Sequence, residues 1–137
     1  MNILGSILQE ENVQALDTNK FTVLVAEDDE ALQKLTRIVL QRQGFNVLMA
    51  GNAEEALHLA RTYGRGVDLL LTDMCMPGMP GSALGSEFKK AHPEAKVVYM
   101  TAYAANEVAR TLPGETVIFK PFCLNHFSAV VRDSLLA

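Results

Sequence analysis

The spacing of apolar residues changes repeatedly along the chain after residue 20. Short continuous apolar runs, each about as long as one strand, alternate with longer stretches in which apolar residues recur at helical spacing. The runs predict five strands, at Phe21–Ala26, Phe45–Ala50, Val67–Thr72, Lys96–Met100 and Thr116–Phe119. The stretches that follow each run predict five helices, at Glu30–Gln43, between Asn52 and Gly64, and at Ser82–Ala91, Ala104–Leu112 and Leu124–Leu136.

The alternation of strands and helices also predicts how these elements pack. Strands that are apolar throughout are typical of a parallel sheet whose two faces are both covered by helices. We therefore predict an α/β fold, a doubly wound five-stranded parallel sheet with right-handed crossovers. A chain of 137 residues is long enough for one such domain. We assign the domain to residues 21–137 and treat residues 1–20 as an N-terminal extension.

The N-terminal extension has a pattern of its own. Four apolar residues stand at helical spacing before a turn-prone segment, and they are Ile3, Leu4, Ile7 and Leu8. The pattern fits a short helix with a linker, and equally a loosely ordered terminus. A helical stripe would pack on the domain or on a second copy of the chain, so a weak homodimer stays open. Glu10 and Glu11 follow the apolar patch too closely for a signal peptide or a membrane span.

Two helices of the domain have clear local signals. The first is expected to end at Gly44 and to bury an apolar face made of Leu32, Leu35, Ile38 and Val39. The second is preceded by Asn52, which can cap it, and Glu55 three residues later completes a capping-box pattern.

Composition narrows the classes of partner and the compartment. The chain has 12 Lys and Arg against 16 Asp and Glu, a net charge of -4, so its charge favours neither nucleic acid nor an anionic membrane. We expect direct binding to neither. The two cysteines, Cys75 and Cys123, are too few for a disulfide framework and suit a reducing compartment. We therefore expect a cytoplasmic protein.

Carboxylates follow two of the predicted strands at the point where each strand ends. Glu27 and Asp28 follow the first strand, and Asp73 follows the third, just before a loop rich in Pro and Gly. If these strands are neighbours, the carboxylates meet in one crevice and repel one another by on the order of 3 kcal/mol per pair at 5 Å. A divalent cation with oxygen ligands would remove that repulsion, and we infer a Mg²⁺ site. An acidic helix start, favoured by the helix dipole, would explain Glu27 and its neighbours taken alone.

Two further polar residues follow the last two strands. Thr101 ends the fourth strand and Lys120 the fifth, so a hydroxyl and an ammonium group reach the same edge of the sheet as Asp73. A carboxylate nucleophile, a metal ion, a hydroxyl and a fixed positive charge are the groups needed for phosphoryl transfer onto an aspartate. Each residue alone would be unremarkable, and the prediction depends on their combination.

Four segments in this order resemble the response-regulator receiver domain of two-component signalling. They are Val23–Asp29, Asp68–Met79, Met100–Tyr103 and Phe119–Phe122, and the likeness covers the chain from Phe21 onward. The resemblance implies a flavodoxin-like (βα)5 sheet with the strand order 2-1-3-4-5. It also implies that a sensor histidine kinase or a histidine phosphotransfer protein phosphorylates Asp73.

The resemblance further implies a ligand set for the metal ion. Mg²⁺ would be held by Asp28, Asp73 and the backbone carbonyl of Cys75, with Glu27 assisting through water. Phosphorylation would then change a surface that binds a downstream protein partner or an output domain.

The same likeness assigns roles near the last two strands. Thr101 and Lys120 would hold phosphoryl oxygens, and the bond between Lys120 and Pro121 would be cis, a form otherwise found in about 5% of X-Pro bonds.

The chain departs from the family pattern at positions that affect signalling. The family usually has an aromatic residue three positions before its lysine, where this chain has Val117, which has no ring to rotate. We therefore expect a muted or rerouted change at the fourth helix and fifth strand. Cys75 and Tyr103 lie two positions beyond the Asp and the Thr, where family residues tune hydrolysis of the acyl phosphate. A poor hydrogen-bonding group and a bulky ring there predict slow autodephosphorylation.

The leading hypothesis is a phosphoacceptor signalling domain that is not a turnover enzyme on outside substrates. The alternative is a receiver-like interaction domain that works without phosphorylation, which Val117 keeps open. A dinucleotide-binding enzyme is disfavoured because no Gly-rich turn follows the first strand. An aspartyl-phosphate hydrolase would normally need a second acid at the position of Cys75.

Overall fold

A computed structural model of the chain describes residues 20–102 and 104–136, apart from the side chain of Ala109. The N-terminal extension up to Asn19 and the predicted role of Tyr103 lie outside the described residues. The strands are β1 (Thr22–Ala26), β2 (Asn46–Ala50), β3 (Leu69–Asp73), β4 (Lys96–Thr101) and β5 (Thr116–Phe119). The helices are α1 (Glu30–Arg42), α2 (Ala53–Thr62), α3 (Gly81–Ala91), α4 (Ala105–Thr111) and α5 (Leu124–Leu136).

The five strands form one parallel sheet in the order β2-β1-β3-β4-β5. Both the predicted α/β class and the implied strand order are confirmed. β1 lies between β2 and β3, with Ala26 opposite Ala50 on one side and Thr72 on the other. The carboxyl ends of the central strands are therefore level, and residues that follow them share one edge of the sheet.

Apolar cores on both faces explain why the strands are apolar throughout. Along β1, Leu24 faces the core under α2 and α3, whereas Val23 and Val25 face the core under α1 and α5. Successive side chains of a strand point to opposite faces, so a strand between two cores has no polar side. Phe88 of α3 and Phe127 of α5, each 1% exposed, are the largest side chains buried in these two cores.

The predicted buried face of α1 is wrong in part. Its buried residues are Thr36 and Leu40, whereas Leu35 is 40% exposed and Ile38 is 48% exposed. The inward side includes Thr36, which an apolar pattern does not count, and this places the helix at a different rotation. Leu35 and Ile38 consequently form an apolar patch on the surface of α1.

The caps predicted for the first two helices are present. Gly44 follows α1 with a φ of 93°, which glycine adopts readily. The side-chain oxygen of Asn52 accepts the N–H of Glu55 at 2.8 Å, so α2 begins where the sequence predicts. Asp29 caps α1 in the same way, accepting the N–H of Leu32 at 3.1 Å. The loop that carries Glu27 and Asp28 is thus tied to the start of α1.

Candidate functional site

Three carboxylates meet at the carboxyl edge of the sheet. Asp73 is the last residue of β3, and Glu27 and Asp28 follow β1 directly. One carboxylate oxygen from each of the three lies within 4.8 Å of the others. Glu27 is 1% exposed and Asp73 is 7% exposed, whereas Asp28 is open to solvent. The structure therefore brings the predicted acidic residues together with one open side.

Lys120 connects two of these carboxylates. Its ammonium Nζ lies 2.8 Å from Oδ2 of Asp73 and 3.4 Å from Oε1 of Glu27. The backbone N–H of Lys120 donates to the carbonyl oxygen of Thr101 at 2.7 Å, which holds the residue beside the end of β4. The peptide bond to Pro121 is cis, as the family resemblance implied.

Thr101 and Cys75 complete the set of predicted site residues. Thr101 is buried and ends β4, one position beyond Met100, which pairs with Asp73. The backbone N–H of Cys75 donates to Oδ1 of Asp73 at 3.1 Å, and its side chain is exposed. Both residues adjoin Asp73, and their contacts with a metal ion or a phosphoryl group stay predictions.

Burial and repulsion change the protonation of this cluster. Burial, followed by the negative charge of Asp73, raises the pKa of Glu27 to about 7, although the N–H of Asp29 and the ammonium of Lys120 work against the rise. Burial alone would lower the pKa of Lys120, but its hydrogen bond to Asp73 and the charges of Asp73 and Glu27 outweigh that effect and raise it. The lysine is therefore charged at neutral pH.

The donor set suits a hard divalent cation. One ammonium group faces three carboxyl groups, so the edge lacks positive charge when all three acids are ionised. Carboxylate and carbonyl oxygens with open access to water are the ligands that Mg²⁺ accepts. Burial is the main cause of the raised pKa of Glu27 and the charge of Asp73 adds to it, so a bound cation would favour the ionised form of Glu27.

Gly81 has a structural role that the sequence pattern does not reveal, since the pattern places it only in the Pro- and Gly-rich loop after Asp73. A Cβ at Gly81 would lie 2.1 Å from the carbonyl oxygen of Asp73 and 2.8 Å from the Cα of Met74. The N–H of Gly81 donates to the carbonyl of Met74 at 3.0 Å. Only glycine permits this contact, which packs the start of α3 against the end of β3.

We expect Gly81→Ala to destabilise the protein by about 2 to 3 kcal/mol, because the added methyl group must displace the backbone of Asp73. Chemical denaturation would measure this loss. Gly64→Ala is the matched control, since a Cβ there meets no atom within 4 Å. Equal stability of the two variants would contradict the assigned contact.

The raised pKa of Glu27 predicts a pH dependence for the metal-free protein. Stability contributed by a protonated Glu27 is present below its ordinary pKa of 4.5 and is lost as the pH rises through about 7. The free energy of unfolding of the wild type, relative to Glu27→Gln, should therefore fall by about 3 kcal/mol between pH 4.5 and pH 8. Urea titrations of both proteins over this range would measure it, and a constant difference would refute the assignment.

Known proteins resemble this chain along most of its length. The family of response regulator receiver domains matches residues 23–132. The chain is 34% identical over 117 residues to the sensor kinase CckA of Brucella abortus, covering 83% of this chain and 12% of that kinase. It is 29% identical over 118 residues to the response regulator receiver protein CpdR of Brucella abortus, covering 84% of this chain and 97% of that protein.

A solved structure supports the same assignment. The receiver domain from the hybrid histidine kinase CckA matches with a TM-score of 0.72 and 28% identity, over 83% of this chain and 98% of that domain. None of the helices among the described residues has the length and the apolar composition of a membrane-spanning segment. The sheet order, the acidic edge and the family match over residues 23–132 lead to one conclusion: this chain belongs to the response regulator receiver domains of two-component signal transduction.

Proposed function

We propose that this domain accepts a phosphoryl group on Asp73, with Mg²⁺ bound, from a histidine kinase or a histidine phosphotransfer protein. The main support for this proposal is the set of groups around the Asp73 carboxylate. Lys120 contacts one of its oxygens at 2.8 Å, and oxygens of Glu27 and Asp28 lie within 4.8 Å of it. A nucleophile, a fixed positive charge and a set of metal ligands thus adjoin one another.

Three side chains of this domain have separate roles in the proposed phosphoryl transfer. An oxygen of Asp73 attacks the phosphorus, the bond from phosphorus to the donor imidazole breaks, and the imidazole nitrogen keeps the electron pair. Lys120 balances negative charge on the transferring group, and in the proposed mechanism the hydroxyl of Thr101, the residue that ends β4, donates a hydrogen bond to that group. When bound by Asp28, Asp73 and the Cys75 carbonyl, with Glu27 assisting through water, Mg²⁺ would supply further neutralisation of the phosphoryl oxygens.

This arrangement favours a signalling role over turnover of outside substrates. The exposed thiol of Cys75 stands where a hydrolase would place a second acid, so no general acid or base adjoins Asp73 there. The alternative of a domain that works without phosphorylation is not favoured, because the acidic cluster and Lys120 are assembled in full. Slow autodephosphorylation stays a prediction.

We propose that an apolar surface next to Lys120 binds the protein that donates the phosphoryl group. A cavity of about 360 Å³ is lined by Lys120, Pro121 and Phe122 and by Leu32 and Leu35 of α1. The exposed side chain of Ile38 extends this surface along α1. Because the cavity includes the lysine that contacts Asp73, a donor helix with an apolar face packed here would hold its phosphohistidine near the acceptor.

We propose that the conformational change caused by phosphorylation reaches the groove between α3 and α4. Tyr99 of β4 pairs in register with Val117 and lies two residues before Thr101, so its ring shares the face of the sheet with the Thr101 side chain. A Cβ at Gly85 of α3 would lie 2.0 Å from the Tyr99 hydroxyl, so the phenol occupies the space beside that glycine. Position 117 has no aromatic ring, but the residue paired with it on β4, Tyr99, is aromatic. Tyr99 lines a groove of about 640 Å³.

Incubation with acetyl phosphate and Mg²⁺, followed by intact mass spectrometry, tests the central proposal. We expect the wild type to gain one phosphoryl group. Asp73→Asn should gain none, because the amide replaces the carboxylate that attacks phosphorus. Asp133→Asn, an exposed site on α5, is the matched control and should behave as the wild type. A wild type that stays unmodified under conditions that label another receiver domain would contradict the proposal.

Amide spectra with and without a phosphate mimic test the direction of output. We expect the largest shifts outside the phosphorylation site at Gly85 and Tyr99, because Tyr99 lies two residues before Thr101 and adjoins Gly85, and both residues line the groove. Tyr99→Phe keeps the ring and should preserve the response, whereas Tyr99→Leu should reduce it. Shifts concentrated at Val117 and α5 would contradict rerouted output.

A further inference from the structure

We propose that Gln33 of α1 is a positioning residue for the metal site, acting through the peptide group that joins Glu27 to Asp28. This inference rests on the proposed magnesium-dependent function. The side-chain amide Nε2 of Gln33 donates a hydrogen bond to the backbone carbonyl oxygen of Glu27. Only the backbone of Glu27 takes part in this contact, and Gln33 itself is not one of the site residues predicted from the sequence.

The backbone of Glu27 is held from two sides. Its N–H donates to the carbonyl of Ala50 at 3.0 Å, which ties it to the end of β2. Its carbonyl accepts from Gln33, which ties it to α1. A Cβ at Gly51 would lie 3.7 Å from Nε2 of Gln33, so the amide lies across the ends of β1 and β2. The Gln33 amide is therefore placed at the base of the acidic loop.

Asp28 depends on this backbone contact more than its neighbours do. The carboxylate of Glu27 is held by the N–H of Asp29 at 3.2 Å and by Lys120 at 3.4 Å, and Asp73 is held by Cys75 and Lys120. Among residues 20–102 and 104–136, no hydrogen bond or ion pair holds the exposed side chain of Asp28. Within the described residues, Asp28 is therefore restrained only through its backbone.

The planar peptide group between Glu27 and Asp28 allows Gln33 to restrain the backbone of Asp28. The carbonyl of Glu27 and the N–H and Cα of Asp28 lie in one plane, so a fixed carbonyl fixes the starting direction of Asp28. Mg²⁺ requires near-ideal octahedral geometry, so a ligand that swings freely binds it poorly. Residues that orient ligands typically contribute a factor of about 10 to 100 in metal affinity.

An amide is the side chain best suited to this position. It donates a hydrogen bond to the carbonyl without adding charge beside a cation site. A lysine or an arginine would also donate, but its positive charge would repel Mg²⁺. A carboxylate would have no proton to offer the carbonyl at neutral pH. Glutamine at position 33 can therefore hold the Glu27 carbonyl without adding a charge that would weaken cation binding.

The test compares Gln33→Met, which keeps the length of the side chain but removes the donor, with Gln41→Met at an exposed position of the same helix. Mg²⁺ titrations followed by amide spectra measure the affinity. We expect Gln33→Met to bind Mg²⁺ about tenfold more weakly than the wild type, and Gln41→Met to bind as the wild type does.

A second measurement separates positioning from a general effect on the fold. The amide nitrogen of Asp28 in the metal-free protein senses the hydrogen bond at the preceding carbonyl, and its shift should change in Gln33→Met only. Equal Mg²⁺ affinity in Gln33→Met and the wild type would overturn the inference. So would weaker binding with an unchanged Asp28 amide, or equal losses in both variants. Failure of the wild type itself to bind Mg²⁺ would instead overturn the proposed metal site.

Discussion

The site depends on the balance of charge at one edge of the sheet. Three carboxylates whose oxygens approach within 4.8 Å repel one another, and Lys120 offsets only part of that repulsion through its contacts with Asp73 and Glu27. Burial is the main cause that raises the pKa of Glu27 to about 7, and the repulsion from Asp73 adds to the rise. The apolar cores on both faces hold β1 and β3 side by side despite it, because fully buried strands such as Leu69–Leu71 cannot separate without exposing their side chains.

The same imbalance connects the fold to its proposed signalling role. In the proposed function, this site would accept a cation and then the negative charge of a phosphoryl group, with Lys120 already in contact with Asp73. Each added charge changes the forces on Thr101 and Lys120, which are joined by the hydrogen bond between their backbones. Those residues end β4 and begin the segment after β5, and we propose that a change at Asp73 reaches the helices around the last two strands through them.

Much of this architecture could be predicted from the sequence. The five strands and five helices follow from the change of period, because strands buried on both faces stay apolar for their whole length. The site could be predicted for a related reason. Residues after parallel strands share an edge, so Glu27, Asp73 and Lys120 could be grouped before their distances were known.

What could not be predicted depends on contacts between distant segments. The rotation of α1 was misjudged because Thr36, a polar residue, is one of its two buried positions. The need for glycine at residue 81 arises from the carbonyl of Asp73, and the contact of Tyr99 with Gly85 joins a strand to a helix. Gln33 has no local signal at all, since its partner is a backbone carbonyl that any residue would supply. Periodicity records which side of an element is apolar, and it does not record such close approaches.

The most direct measurement is the binding site of a paramagnetic divalent ion, Mn²⁺, mapped by the broadening of amide signals at substoichiometric concentration. We predict that the broadening centres on Glu27, Asp28 and the residues from Asp73 to Cys75, and that excess Mg²⁺ reverses the broadening. Broadening centred on exposed acids elsewhere, such as Glu54 or Glu87, with the edge of the sheet unaffected, would contradict it.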